Sequence, residues 1–292
     1  MEDKQKIELN LDYPVKLVLF DTETTWLDKD KRMIQLAYKV IVLDKWEKKV
    51  VKTFNKLFKT WKKIAITAMA THHITEEMVE EEGVFLEDYK EEIEKDFENA
   101  ILIAHNADFD RWVIDYEEID HSKAIGWIDT YKVAYDLIDY EDVENHKLQY
   151  LRYYLGLERF WGINHKEIDP HDALSDVLIL EALFFFLIAL YQKRNPDYSL
   201  FNILEDFINI SNREILLRTL NFGILKWYSF EEILSWSSEE YIIKNPKARY
   251  WSTGADYLHW LMGQELNKPE DEQNKNLIYT IKFYISHPPR WN

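Results

Sequence analysis

The chain has 292 residues, 47% of them hydrophobic, with 7 glycines, 7 prolines and no cysteine. This leaves room for one large or two modest cores and excludes collagen-like, linker-like and disordered classes, disulfide frameworks, thiolate nucleophiles and Cys-ligated zinc. The 36 basic and 53 acidic side chains give a formal charge of −17, which at face value counts against a nucleic-acid partner.

The N-terminal MEDKQKIELN is polar and has no signal-peptide core, so a cytoplasmic location is expected. Val15–Asp21 is a short apolar, β-branched run after Pro14 and reads as a buried strand. Ile34–Leu43 and Val50–Leu57 continue as strands around a turn at Asp44–Lys49. Residues 85, 86, 89, 93 and 97 have helical spacing beneath an acidic outer face. Ala100–Ala104 is a second buried strand, and Asp108–Tyr116 a helix with acidic residues in its first turn, as the macrodipole favours. Ile125–Ile128 reads as a strand, followed by helices at Thr130–Ile138, Lys147–Leu155 and His171–Tyr191. The apolar run 182–191 is short of the ~20 residues that span a bilayer, so no membrane partner is expected. The polar stretch QKRNPDYS divides a first domain, 1–192, from a second, 199–292, with helices at Asn212–Leu220, Ser229–Trp236, Thr253–Leu266 and Asn276–Ile285. A meander followed by alternating strands and helices predicts an α/β fold: a mixed five-stranded sheet flanked by helices, plus a small α-rich C-terminal domain.

The charge is unevenly spread. Lys31–Lys63 carries 11 basic and 2 acidic residues, whereas Glu76–Glu98 carries 2 basic and 12 acidic. The basic tract can follow a phosphate backbone or guard a solvated sheet edge.

Four acidic residues stand at strand ends and helix starts. Asp21 closes the first strand, and Glu23, two residues on, points to the same side of an extended backbone. Asp110 follows ILIAHN, and Asp176 opens the long apolar helix with His171 five residues before it. Taken singly, each reads as a turn former or cap. Together, LFDTETTWL (19–27), IAHNADFD (103–110) and HDALSD (171–176) resemble the three motifs of the DEDDh exonuclease family, which includes proofreading subunits of bacterial replicative polymerases. THHITEEMV (71–79), WIDTYKVAYDLI (127–138) and HKLQYLRYYLGL (146–157) are similar to the family's connecting segments, so the resemblance covers residues 15–190. A related branch has Tyr where this chain has Asp172; His171 selects the His branch. Asp108 is a rival for the middle ligand, but it falls at the motif's variable position.

The resemblance implies an RNase H-like fold and a 3′→5′ exonuclease that uses two divalent ions, Mg²⁺ or Mn²⁺. Asp21, Glu23, Asp110 and Asp176 would be the metal ligands and His171 the general base. An all-oxygen donor set suits such hard cations, and imidazole titrates near neutral pH. It also implies substrate contacts at Thr22 and Leu27, with Thr24 between them, and at His105 and Asn106. Trp26 departs from the family's usual Gly and reads either as a packing residue or as a platform for base stacking. The expected partner is the 3′ end of a single-stranded or frayed nucleic acid, DNA ahead of RNA. The alternatives are an exoribonuclease of short RNAs or tRNA ends, and a vestigial binding or scaffold protein. Residues 221–262 are similar to a module appended to some bacterial members, although Leu225–Tyr228 replaces its glycine- and lysine-containing turn.

Overall fold

The computed structural model describes residues 14–26, 30–138, 143–161, 172–220, 222–244 and 253–287. The chain divides into two compact units, Met1–Asn212 and Arg213–Asn292.

In the first unit, β1 (Val15–Thr24), β2 (Met33–Asp44) and β3 (Glu47–Leu57) form an antiparallel meander. Next come α1 (Ile66–His72), α2 (Glu76–Glu82), a 3₁₀ turn at Leu86–Asp88 and α3 (Lys90–Phe97). β4 (Ala100–Ala104) leads to α4 (Ala107–Tyr116), and β5 (Gly126–Asp129) to α5 (Thr130–Leu137). α6 (Leu148–Tyr154), α7 (Leu157–Trp161), α8 (Ala173–Arg194) and α9 (Leu200–Ser211) complete the unit. β4 and β5 add in parallel on the far side of β1, giving the order β3-β2-β1-β4-β5, the expected mixed five-stranded sheet.

Side-chain alternation along β1 decides which helix meets which residue. Leu17 and Leu19 face the core shared with α5, α6, α8 and α9, whereas Val18 and Phe20 face the core shared with α3 and α4. At the carboxyl end of the strand, Asp21 and Glu23 therefore lie on the α8 face and Thr22 on the α4 face.

Outer strand β3 exposes much of its length and carries lysines, as unpaired edges commonly do. Part of the basic tract is already neutralised by the acidic one. Lys52 pairs with Glu92 at 2.6 Å and with Asp96, and Asp96 also accepts the Tyr38 hydroxyl at 2.7 Å.

α8 is apolar nearly all round because it packs on β1 and β2 on one side and on α5, α6, α7 and α9 elsewhere. The run 182–191 understates it. Over 18 residues its mean hydropathy is 2.3, long and apolar enough to cross a membrane, yet 67% of that stretch is buried within the protein.

Several expectations are corrected. β1 runs on to Thr24, which places Asp21 and Glu23 inside the strand. The helix expected over 85–97 begins at Lys90. Residues 212–220 are not helical; the helix lies earlier, at α9, started by a Ser199–Asn202 capping box. Leu200, Ile203, Leu204, Phe207 and Ile208 form its buried stripe and join the first unit's core. The division expected at 192–199 therefore falls between Asn212 and Arg213.

The second unit packs α10 (Phe230–Ser235), α11 (Ser238–Lys244), α12 (Gly254–Leu266) and α13 (Lys275–Ser286) around Leu225, Phe230, Ile233, Leu258 and Ile281. Gly254 is obligatory there, because a Cβ would sit 1.6 Å from the Ile233 carbonyl oxygen.

Candidate active site

Three elements meet at the carboxyl end of β1. The sheet supplies Asp21 and Glu23; their register partners on β2 are Ala37 and Gln35, and the ladder shifts just after Glu23. Asp110, 2% exposed, comes from the first turn of α4 and reaches β1 through Thr22. Its Oδ1 accepts the Thr22 amide at 3.1 Å and the Thr22 hydroxyl at 2.7 Å. Asp176 comes from the first turn of α8, where Oδ1 accepts the Gln149 amide Nε2 at 2.5 Å.

The turn between β4 and α4 is shaped to present Asp110. Asn106 sits in the left-handed region at φ 68°, which Asn tolerates better than most residues, and its amide donates to Asp129 Oδ1 at 2.9 Å. Asp129 in turn caps α5 by accepting the Tyr131 amide at 2.9 Å. Helical spacing separates Asp110 from Asp108. Asp110, Val113 and Ile114 share the buried face, whereas Asp108 points outward to Lys132 at 3.1 Å.

The carboxylates oppose one another's ionisation. Burial pushes Asp21 well above the usual carboxylate range, with Asp110, Glu23, Asp176 and Asp172 adding repulsion. Burial, then Asp176, Asp110 and Asp172, push Glu23 up to about 9. Burial pushes Asp110 up to about 7 against the opposing hydrogen bonds from Thr22. The donors are all oxygen, which fits a hard divalent ion in chemistry. Among the described residues no group of three or more His, Asp or Glu is arranged to hold a metal; Asp110 and Asp176 each have Oδ1 in the hydrogen bonds above.

Thr22 and Thr24 are buried, and the Thr24 hydroxyl donates to the Trp26 carbonyl at 2.8 Å. Trp26 is 36% exposed at the lip of the strand end. His105 is held inside the unit and burial lowers it to about 4, so it is neutral at physiological pH. Its Nε2 donates to the His146 carbonyl at 2.8 Å, which leaves Nδ1 to accept near the Thr130 hydroxyl at 3.0 Å. Both ring nitrogens are engaged, whereas Asn106 is exposed. His171 and Leu27 lie outside the described residues.

Three side chains in the site were not singled out from the sequence as site residues. Asp172 caps α8 by accepting the Ser175 amide at 3.0 Å, and its other oxygen accepts Gln35 Nε2 at 3.0 Å. Gln149 is oriented by Arg152, whose Nη1 donates to the amide oxygen at 3.1 Å and leaves Nε2 to face Asp176. Arg152 is itself buried in an ion pair with Glu158. Gln149 lies in HKLQYLRYYLGL, the only sequence signal that could have flagged it.

The exonuclease family model RNase_T matches residues 18–184, more than half of the chain and none of the second unit. No curated protein matches. Among solved structures, exonuclease X in complex with 5′ overhanging duplex DNA is 24% identical, over 67% of this chain and 99% of that one, with a TM-score of 0.47. Exonuclease I of E. coli in complex with a dA16 oligonucleotide is 19% identical, over 65% of this chain and 43% of that one, with a TM-score of 0.47. The nuclease domain of 3′hExo, a DEDDh family member, bound to rAMP is 14% identical, over 63% of this chain and 94% of that one, with a TM-score of 0.43.

Proposed function

The chain belongs to the exonuclease family, and from that premise we propose that it is a metal-dependent 3′→5′ exonuclease releasing nucleoside 5′-monophosphates from single-stranded or frayed ends. What supports the reading is that Asp110 and Asp176, from two helix starts, lie close enough to Asp21 and Glu23 on β1 to raise the pKa of both. That cluster costs the fold free energy unless a cation joins it.

Asp21, Glu23, Asp110 and Asp176 would hold the divalent ions. When bound, such ions lower the pKa of an attacking water and stabilise the leaving 3′-oxygen. His171 would serve as the general base. Thr22, Thr24, Leu27, Asn106 and Trp26 meet the terminal nucleotide. His105, with both ring nitrogens engaged, holds the loop that presents Asn106 and Asp110. DNA is the favoured substrate and Mg²⁺ or Mn²⁺ the favoured ion.

The test is a 5′-labelled single strand, DNA and RNA of equal sequence, incubated with Mg²⁺, Mn²⁺ or EDTA. A ladder shortening from the 3′ end, lost in EDTA, is expected. Shortening from the 5′ end, or cleavage unaffected by EDTA, refutes the reading, and faster loss of RNA reassigns the substrate.

Gln149 supports Asp176 without being a ligand. Gln149→Ala is expected to raise the Mn²⁺ concentration for half-maximal activity about 10–100-fold, the usual cost of losing a ligand's hydrogen-bond partner. An unchanged Mn²⁺ titration curve removes it from the site.

A further inference from the structure

The first unit contains a second concavity that the nuclease chemistry does not use. It is a cavity of about 700 Å³ between the β2–β3 hairpin and the carboxyl end of α8. Trp46, Phe185, Ile188 and Leu200 supply its apolar wall, and its size is within the ~300–1,000 Å³ typical of small-molecule sites.

Two independent measures place it away from the carboxylates. Leu43, in its wall, pairs with Val15, six residues before Asp21 on β1, which is about 20 Å along a strand. Ile188 is twelve residues after Asp176 on α8, about 18 Å along a helix. The cavity and the carboxylate cluster therefore occupy opposite ends of the same strand and helix.

Its charge is opposite as well. Lys45, Lys48 and Lys193 line it, and no acidic side chain does so among the described residues. Lys48 is already committed, 2.6 Å from Glu181, which Lys39 also binds at 2.6 Å. Lys45 and Lys193 are exposed and make no ion pair with a described residue. Lys45 is held at the turn with φ 57°, so its position is set by backbone and not by a salt bridge. An apolar wall with two uncommitted ammonium groups suits a ligand with an apolar body and one anionic head. Removing that apolar surface from water is the gain on binding, and the lysines select the charge.

We propose that this cavity is a binding site for a small amphipathic organic anion, its apolar body against Trp46, Phe185 and Ile188 and its acidic head between Lys45 and Lys193. The proposal is independent of the nuclease reading.

The test is isothermal titration of the full chain with decanoate and, in a second arm, 1-naphthalenesulfonate, each below its aggregation concentration. Saturable one-to-one binding is expected, and the tighter arm tells an acyl from an aryl ligand. Lys45→Ala with Lys193→Ala should weaken binding at least tenfold. Ala189→Trp, an exposed position in the wall, should abolish it by filling the space. The melting temperature and the nuclease rate of both variants should be unchanged, which separates loss of the site from loss of the fold. Three results overturn the proposal: no saturable binding of either probe, equal binding of uncharged decanol, or unaltered binding to Ala189→Trp.

Discussion

Asp21→Asn is expected to abolish exonuclease activity while making the metal-free protein more stable. The substitution keeps side-chain size and removes the ionisable group at the most crowded position, where burial and four acidic neighbours all oppose ionisation. Turnover should fall about 10²–10³-fold, the scale on which losing one preorganised electrostatic contact is felt in kcat. Stability should move the other way. Asp21 must take up a proton for the metal-free chain to fold, a cost Asn does not carry, so the gain is on the order of 1 kcal/mol or more in the absence of metal. The measurements are a 3′-shortening assay and a thermal melt in EDTA. A variant that retains activity refutes the ligand assignment. A variant inactive but melting below the wild type in EDTA refutes the account of the cluster as mutually repelling.

The second large effect is a stabilisation by metal that grows with pH. Glu23 titrates at about 9 in the folded protein, against an ordinary value of 4.5. Between those values the folded state binds more protons than the unfolded one, so the stability of the metal-free protein falls as pH rises. Asp110, raised to about 7, adds to the fall over the lower part of that window. The expected total is on the order of a few kcal/mol between about pH 5 and 9. A divalent ion bound to the carboxylates competes with those protons and contributes RT ln(1 + [L]/Kd), about 2.7 kcal/mol at a hundredfold excess over Kd. Its stabilisation should therefore grow with pH. Melting temperatures across that range, in EDTA and in Mg²⁺ or Mn²⁺, decide the matter. A metal-induced increase that is flat or shrinks toward alkaline pH contradicts the assignment.

What was legible in the sequence was whatever depends on local spacing. The apolar run through β1, the two-residue step from Asp21 to Glu23 and the helical step from Asp110 to Val113 and Ile114 all follow from backbone periodicity. What was not legible was whatever tertiary packing decides. The buried stripe of α9 was present in the letters, but Asn195–Pro196–Asp197 before it reads as a boundary, and only docking on β5 and α5 shows which unit owns it. Gln149 and Asp176 are 27 residues apart and Gln35 and Asp172 are 137 apart, so neither hydrogen bond leaves a local mark. The basic and acidic tracts, each a candidate surface by itself, partly cancel because β3 and α3 are neighbours through Lys52.

The wiring of the sheet has a temporal consequence. The hairpins around β2 can form early, since β1 to β3 are contiguous, but β4 must be brought across a long loop to pair with β1. Asp110 reaches Thr22 only after that closure, 88 positions along the chain, and Asp176 joins only when α8 covers the sheet. A chain emerging from the ribosome thus carries Asp21 and Glu23 long before the other half of the site exists. The four carboxylates can meet only once the chain has been made past residue 176, so on the proposed function a shorter nascent chain is inactive.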